Sequence, residues 1–384
     1  MRFREFRLVE SKQILTEGAR IDHAEDIVFW EGSKGALRAL KALKSMEQGG
    51  HADVTLKWDG SPAIIFGRDE TGEFILTDKS GFTAKGYDGK PKSAKDLANM
   101  LGSRKTRKGQ EIDSKQAAFM SNMAGIFDYF ERATPASFRG FFKGDLLYYQ
   151  KPVLKNGKFM FTPNIVTYFV DEKSELGMKI GLSTTGVVVH RYIDLNGNEQ
   201  AVDQKQLDIM QGRDVLVVPP VFVQKPANVD NKNLAQLESM VEQNAGKIDE
   251  LLNKEELRQK QLTNLSDVLY TYVNKKVDTS LNNLGADFQQ WLTTNPKISK
   301  KKQDNILSHI SQHPIAFESL WKVVSGIIKI KDAVINQFDS HDTAVQQKIG
   351  TKSGGEGYVM KHPSGDIKLV PREIFSKANR AKQR

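Results

Sequence analysis

The feature that most limits the fold of this chain is a long block of helical patterning set between strand-rich regions. From Asn231 to Gln347, apolar residues recur at three- and four-residue spacing. Leu234, Leu237, Met240, Val241, Ile248, Leu251 and Leu252 make one stripe. Leu262, Leu265, Leu269, Tyr272, Val273 and Val277 make a second, and Phe288, Trp291, Leu292, Ile306, Ile310, Leu320, Val323, Val324, Ile327 and Ile328 continue the pattern. Stripes of this period bury one helix face each and predict a bundle core rather than a cofactor box. Before the block, residues 53–58, 62–67, 73–78, 138–149, 158–162, 165–170 and 186–193 read as strands. Turns at Asp69-Glu70-Thr71-Gly72 and Lys155-Asn156-Gly157-Lys158 separate several of them. Helices are predicted over 33–48, capped by Ser33 and stopped by Gly49-Gly50, and over 93–100 and 114–132. Strand patterning returns from Glu356 to Val370. The chain is therefore expected to be α+β with an inserted α-helical domain: a first part at 1–225, the insertion at 226–348, and final strands with a basic tail at 349–384.

Two short segments carry reactive side chains in an unusual setting. Lys57-Trp58-Asp59-Gly60 follows the apolar pair Val54 and Leu56 and precedes the strand Ala63-Ile64-Ile65-Phe66-Gly67. Far along the chain stands Glu356-Gly357-Tyr358-Val359-Met360-Lys361, followed by Ile367-Lys368-Leu369-Val370. A lysine attacks phosphorus only after losing its proton, which nearby cations and partial desolvation promote. Lys361 and Lys368 could supply that field and balance the charge of a departing pyrophosphate. Asp145 and Glu356 are candidate Mg²⁺ ligands, since that ion prefers oxygen donors. Asp145 sits between the apolar runs Phe141-Phe142 and Leu146-Leu147, where an acid is costly without a partner. The plain alternatives are a surface lysine before an Asp-Gly hairpin turn, and an exposed or lysine-paired acid at Asp145.

This ordered set resembles the covalent nucleotidyltransferase superfamily: ATP-dependent DNA and RNA ligases and messenger-RNA capping enzymes. Lys57 to Gly60 matches its Lys-x-Asp-Gly motif, Gly144-Asp145 its Gly-acid strand, Glu356 to Lys361 its Glu-Gly-x-Val-x-Lys motif, and Lys368 its last lysine-bearing strand. Gly60-Ser61 and Glu356-Gly357-Tyr358-Val359 look most similar to the branch typified by bacteriophage RNA ligase 2, and Lys79-Ser80-Gly81 is similar to its basic-Ser-Gly step. Pro62, Asp145 and Val370 depart from the family pattern. The resemblance implies a ligase-type nucleotidyltransferase fold (ATP-grasp-like antiparallel sheets with helices) without a C-terminal OB-fold, since only fourteen residues follow Val370. It also implies Lys57 as the adenylated nucleophile, with Asp59, Lys361 and Lys368 as further catalytic residues. Leu56, Gly60, Lys79, Asp145 and Glu356 would bind nucleotide beside them, with ATP and Mg²⁺ as substrate and cofactor. One of Phe161, Tyr168 and Phe169 would stack on adenine. Sealing of nucleic-acid ends, RNA before DNA, is the implied reaction; a DNA-nick ligase, a GTP-using capping enzyme and a degraded nucleic-acid-binding protein are its rivals.

The composition agrees with a polyanionic partner. The net charge is +9 and the isoelectric point about 9.3, a balance that favours nucleic acid through counterion release. Basic residues cluster at Arg104, Lys105, Arg107 and Lys108, at Lys300, Lys301 and Lys302, and in a tail with Arg372, Lys377, Arg380, Lys382 and Arg384. Cysteine is absent, which excludes disulfides and thiolate chemistry and fits a reducing cytoplasm. No apolar run approaches a membrane span, and Met1 to Arg7 lacks a signal core. His309 and His313 have the spacing of a helical metal pair but no glutamate beside the first histidine, and they read as a solvated helix face. There is no Walker-type Gly-rich loop and no Gly-x-Ser-x-Gly elbow.

Overall fold

A computed structural model describes residues 22–47, 54–83, 90–106, 109–202, 204–210, 212–275, 281–341, 343–362 and 365–382. Its early strands are β1 (Asp22–His23), β2 (Val54–Leu56), β3 (Ala63–Arg68), β4 (Phe74–Asp78) and β5 (Gly140–Tyr148). Next come β6 (Val153–Lys155), β7 (Lys158–Phe161), β8 (Val166–Asp171), β9 (Thr185–Ile193) and β10 (Glu199–Ala201). The last are β11 (Val215–Val217), β12 (Val345–Ile349), β13 (Lys352–Ser353), β14 (Tyr358–Met360) and β15 (Ile367–Leu369). The first helices are α1 (Ile27–Lys44), α2 (Lys79–Thr83), α3 (Ala94–Thr106), α4 (Ser114–Ala133), α5 (Glu175–Leu182) and α6 (Gln204–Leu207). The later ones are α7 (Asn231–Leu251), α8 (Lys254–Gln259), α9 (Leu265–Lys275), α10 (Leu284–Thr294), α11 (Lys300–Gln312), α12 (Pro314–Ser340) and α13 (Lys377–Lys382). The protein is thus mixed α+β. Among the described residues no helix is long and apolar enough to cross a membrane.

The chain divides into two compact units, and the division differs from the expected boundaries. One unit comprises Trp58–Pro220 with Asp342–Gly355; the other comprises Arg20–Lys57, Val221–His341 and Glu356–Arg384. The helical block therefore does not stand apart from the final strands, because both pack into the same unit.

In the first unit, a six-stranded sheet runs β10-β9-β5-β3-β4, with β11 added beside β9. Alternate residues of these strands face α3 and α4. Ile64, Phe66, Phe74, Leu76, Leu97, Phe127, Phe130 and Phe142 form the shared core. A second sheet runs β13-β12-β8-β7-β6, all antiparallel. Its β12 covers Val345–Ile349 and pairs with β8, whereas the helical reading extended to Gln347. Val345 and Gln347 are buried while Gln346 and Lys348 are exposed. That two-residue alternation is the strand period, and the polar residues in it obscured the signal.

In the second unit, α1 packs on α7 and α12. Tyr272, Phe288, Trp291, Phe317 and Trp321 fill the helical core with ring centroids 5.3–6.0 Å apart. Ser33, expected to begin the first helix, lies within α1 just after a kink at Gly32. Its backbone N–H and hydroxyl both donate to the Asp249 carboxylate, each at 2.8 Å. A distant side chain caps the post-kink segment in place of a local one. Gly49, Gly50 and Val277 lie outside the described residues.

Arg372, assigned to the basic tail, is only 1% exposed. Its Nε donates to Glu25 at 2.5 Å, and its other nitrogens reach Asp26 and Asn274. Lys331 Nζ donates to the same Glu25 oxygen at 2.9 Å. Burial alone would raise the Glu25 pKa, but Lys331 and Arg372 overcome it and hold that group well below the usual carboxylate range. For Asp26 burial wins, and its pKa is pushed up to about 7 against the pull of Arg372. Arg372 is thus a structural cation, withdrawn from any polyanion track.

Candidate functional site

Strand pairing brings the early lysine motif and the late motif together. In the second unit a four-stranded sheet runs β1-β15-β14-β2. Leu56 on β2 pairs with Tyr358 on β14, and Tyr358 pairs with Leu369 on β15. The Lys57 backbone N–H extends this ladder to the Gly357 carbonyl at 2.9 Å. Along each of these strands the middle residue is the less buried one: Thr55, Val359 and Lys368. They form one row across the sheet. Lys57 and Lys361 have the same parity and extend this face at opposite ends.

The Lys57 ammonium lies 2.5 Å from Glu356 Oε1, and the two side chains are 22% and 16% exposed. This is a half-sheltered ion pair, not a lysine in open solvent. Gly357 makes the geometry possible. Its φ is +112°, and a Cβ there would lie 2.0 Å from the Leu369 carbonyl oxygen. Leu56 is buried beneath the row and serves as core. Lys361 is exposed and four positions along from Gly357, so it flanks the ion pair at a distance. His362, its neighbour, is held below the usual histidine range by burial and by Arg38 and Lys41, a sign of a positive field at that end.

Tyr358 couples this sheet to the helical block. Its hydroxyl donates to Asp339 Oδ1 at 2.9 Å, and its ring meets Phe338 edge-on at 5.1 Å. Burial pushes the Asp339 carboxyl up to about 6, against the Tyr358 hydrogen bond. The Tyr358 phenol is raised by burial first and then by Asp339.

The rest of the expected set belongs to the first unit. Asp59 is 5% exposed. Its Oδ1 accepts from Asn164 Nδ2 at 2.8 Å, and its Oδ2 accepts from the backbone N–H groups of Ile165 and Val166 at 2.8 and 3.1 Å. Its own N–H donates to the Tyr168 hydroxyl at 2.6 Å. Both carboxylate oxygens are engaged, so Asp59 anchors the segment after Lys57 rather than offering a free acceptor to a ribose. Nor is Asp59-Gly60 a hairpin turn, since β2 and β3 belong to different sheets. Gly60 instead lets the backbone approach β5, where a Cβ would lie 2.6 Å from Asp145 Cβ.

Asp145 is partly buried and meets His190 Nε2 at 3.0 Å. Lys143 pairs with Arg191 and Gly144 with Val189, which leaves His190 as the extra residue of a β-bulge. A bulge re-aims a side chain, and here His190 meets the acid. Sequence reading missed this histidine because the bulge exists only in the pairing of β5 with β9.

Several expected ligands are otherwise committed. Phe161 and Tyr168 are buried and packed on Trp58, with centroids at 6.2 and 4.6 Å. They are core and offer no free face to adenine; Phe169 lies on the opposite face, with Lys348 Nζ 5.5 Å from its ring centroid. Arg104 forms a bidentate pair with Asp78 at 2.5 and 2.7 Å. Lys79, next to Asp78, is exposed at the start of α2. Lys105 lies on α3, and Arg107 and Lys108 lie outside the described residues. Lys300, Lys301 and Lys302 open α11, with Lys300 bound to Asp304 at 2.8 Å. Three cations at a helix N-terminus oppose its dipole, which the Lys300–Asp304 pair offsets in part.

The histidine pair differs most from its expected setting. His309 is 1% exposed and faces Glu256, Lys260 and His313 instead of solvent. Ile306, His309, Ile310 and His313 follow the 3-4-7 spacing of one helix face, a signal present in the sequence.

Residues 19–384 match the family described as "Family of unknown function (DUF6267)". The chain belongs to that family. No curated protein and no solved structure matched the chain.

Proposed function

We propose that this protein is a lysine-adenylating nucleotidyltransferase acting on nucleic-acid ends in the cytoplasm, an ATP-dependent RNA ligase with a ligase-type fold. One observation carries the reading. Residues from distant parts of the chain meet at one small sheet: Lys57, directly after β2, contacts Glu356, which stands two residues before the adjoining β14, and Lys368 lies on β15 beyond β14. A surface lysine before a hairpin turn does not account for that arrangement.

In this reading the Lys57 amine gives up a proton, for which Glu356 is the adjacent acceptor. It then attacks the α-phosphate of ATP, and pyrophosphate leaves. The resulting lysyl-AMP passes its AMP to a 5′-phosphate end, and a 3′-hydroxyl displaces AMP to seal the strand. Lys368, in the same row, and Lys361, at the sheet end, supply positive charge to the phosphates. Asp59 acts as a positioning residue for the segment that follows the nucleophile. Glu356 and Asp145 are each of the carboxylate donor type that Mg²⁺ prefers. Bound Mg²⁺ would neutralise triphosphate charge.

The test is incubation with Mg²⁺ and α-labelled ATP or GTP, followed by a denaturing gel. A covalent label from ATP that is lost in Lys57→Ala supports the reading, and a panel of RNA and DNA ends then assigns the strand. Label from GTP alone would indicate capping chemistry. No label from either nucleotide sinks the proposal and leaves a non-catalytic nucleic-acid-binding protein, the reading favoured by the departures at Pro62, Asp145 and Val370.

A further inference from the structure

In the helical block of the second unit, three side chains converge on a lysine. His309 from α11, His313 just after it and Glu256 from α8 place one ligand-type atom each within 4.8 Å of one another. Glu256 Oε1 lies 3.2 Å from His313 Nε2 and 3.7 Å from His309 Nδ1. For a tetrahedral ion with ligands at about 2.1 Å, neighbouring ligand atoms stand about 3.4 Å apart. Two edges of that tetrahedron are therefore already near their length, and the third, no longer than 4.8 Å, needs to close by at most about 1.4 Å.

The geometry points to a binding site for a borderline divalent cation such as Zn²⁺, formed by His309 Nδ1, His313 Nε2 and Glu256, in which Lys260 is the resident competitor. The tautomer is prepared for it. His309 Nε2 lies 2.9 Å from the Leu251 carbonyl, which accepts only if that nitrogen carries the proton. The Nδ1 lone pair then faces the cluster. A ligating histidine whose other nitrogen donates to a carbonyl is the usual support of a metal site. The two nitrogens and one carboxylate oxygen suit zinc, cobalt or nickel better than magnesium.

Lys260 occupies the middle of the set. Its Nζ donates to Glu256 Oε1 at 2.5 Å, to Gln312 Oε1 at 2.6 Å and to His309 Nδ1 at 3.1 Å. All three of its donors are used, so the ammonium stands in for an ion. The side chain is 31% exposed and follows the last residue of α8, which lets it swing into solvent when a metal arrives. His313 must then carry its proton on Nδ1. A bound ion would staple α8 to the α11–α12 junction. This inference does not depend on the proposed ligase activity.

The test is titration of the full-length protein with Zn²⁺ against a chromophoric chelator, with Co²⁺ in parallel for its tetrahedral absorption bands. Wild type should take up one equivalent. Lys260→Met should bind about tenfold tighter or more, because the ion no longer has to expel an ammonium. His313→Gln is the ligand variant of choice, since His313 is 11% exposed while His309 is buried. It should lose the Co²⁺ bands and the Zn²⁺-dependent rise in melting temperature while melting normally without metal. Absence of a stoichiometric equivalent in both wild type and Lys260→Met overturns the site. So does unchanged binding in His313→Gln.

Discussion

Replacing Arg372 with methionine tests the buried ion network and, with it, the way the chain end is held in the second unit. The guanidinium is 1% exposed and serves Glu25, Asp26 and Asn274. Methionine keeps much of the volume and removes the charge. Two buried carboxylates, Glu25 and Asp26, then face the single ammonium of Lys331. Among the described residues, Glu25 Oε2 and Asp26 Oδ1 already lack hydrogen-bond partners, so little is available to absorb the loss. Breaking such a pair from one side costs about 3–5 kcal/mol. For a unit of this size that lowers the melting temperature by roughly 10 °C. The loss also depends on pH. Asp26 has its folded pKa raised to about 7, so its contribution to stability falls as pH climbs from the ordinary aspartate value through that point. Arg372 opposes the rise, and its removal moves the folded pKa further up and widens the window. The gap between wild type and Arg372→Met should therefore be larger at pH 8 than at pH 5. Urea unfolding and calorimetry at both values measure it. A loss under about 1 kcal/mol at pH 8, or a gap that shrinks with rising pH, would refute the reasoning.

Two further outcomes are expected. Asp339→Asn should stabilise the protein at pH 8 by about 2–3 kcal/mol and leave pH 4 nearly unchanged. The buried carboxyl, raised to about 6, loses stability as pH rises from roughly 4 through 6, and the amide keeps an acceptor for Tyr358; equal shifts at both pH values in calorimetry would contradict this. Gly357→Ala should destabilise by about 3 kcal/mol or more, since its methyl would meet the Leu369 carbonyl at a positive φ. Loss of Lys57 labelling should accompany it, and a variant with wild-type urea midpoint and labelling would show that the β14–β15 approach does not need glycine.

Much of the fold was legible along the chain. The expected strands at 62–67, 73–78 and 158–162 reappear as Ala63–Arg68, Phe74–Asp78 and Lys158–Phe161, and the helix at 114–132 as Ser114–Ala133. Each rests on a local free energy: burial of one face at period 2 or 3.6, with turns and caps at the ends. Asp113, for example, accepts from Gln116 N and opens α4. The early and late motifs were also visible, because their residue types stand close together in sequence.

What the amino-acid order could not supply were the pairings between distant segments. The register that sets Lys57 against Gly357 and lines up Thr55, Val359 and Lys368 depends on which strands meet. The bulge that turns His190 toward Asp145 exists only when β5 lies beside β9. Arg372 read as part of a basic tail facing a polyanion and became a buried cation because Glu25 and Asp26, near the other end of the chain, await it. His309 read as surface until Leu251, Glu256 and Lys260 closed over it. Periodicity decides which face of an element is buried; only the packed chain decides what that face meets, since a charge or an imidazole is stabilised by partners that local sequence does not contain.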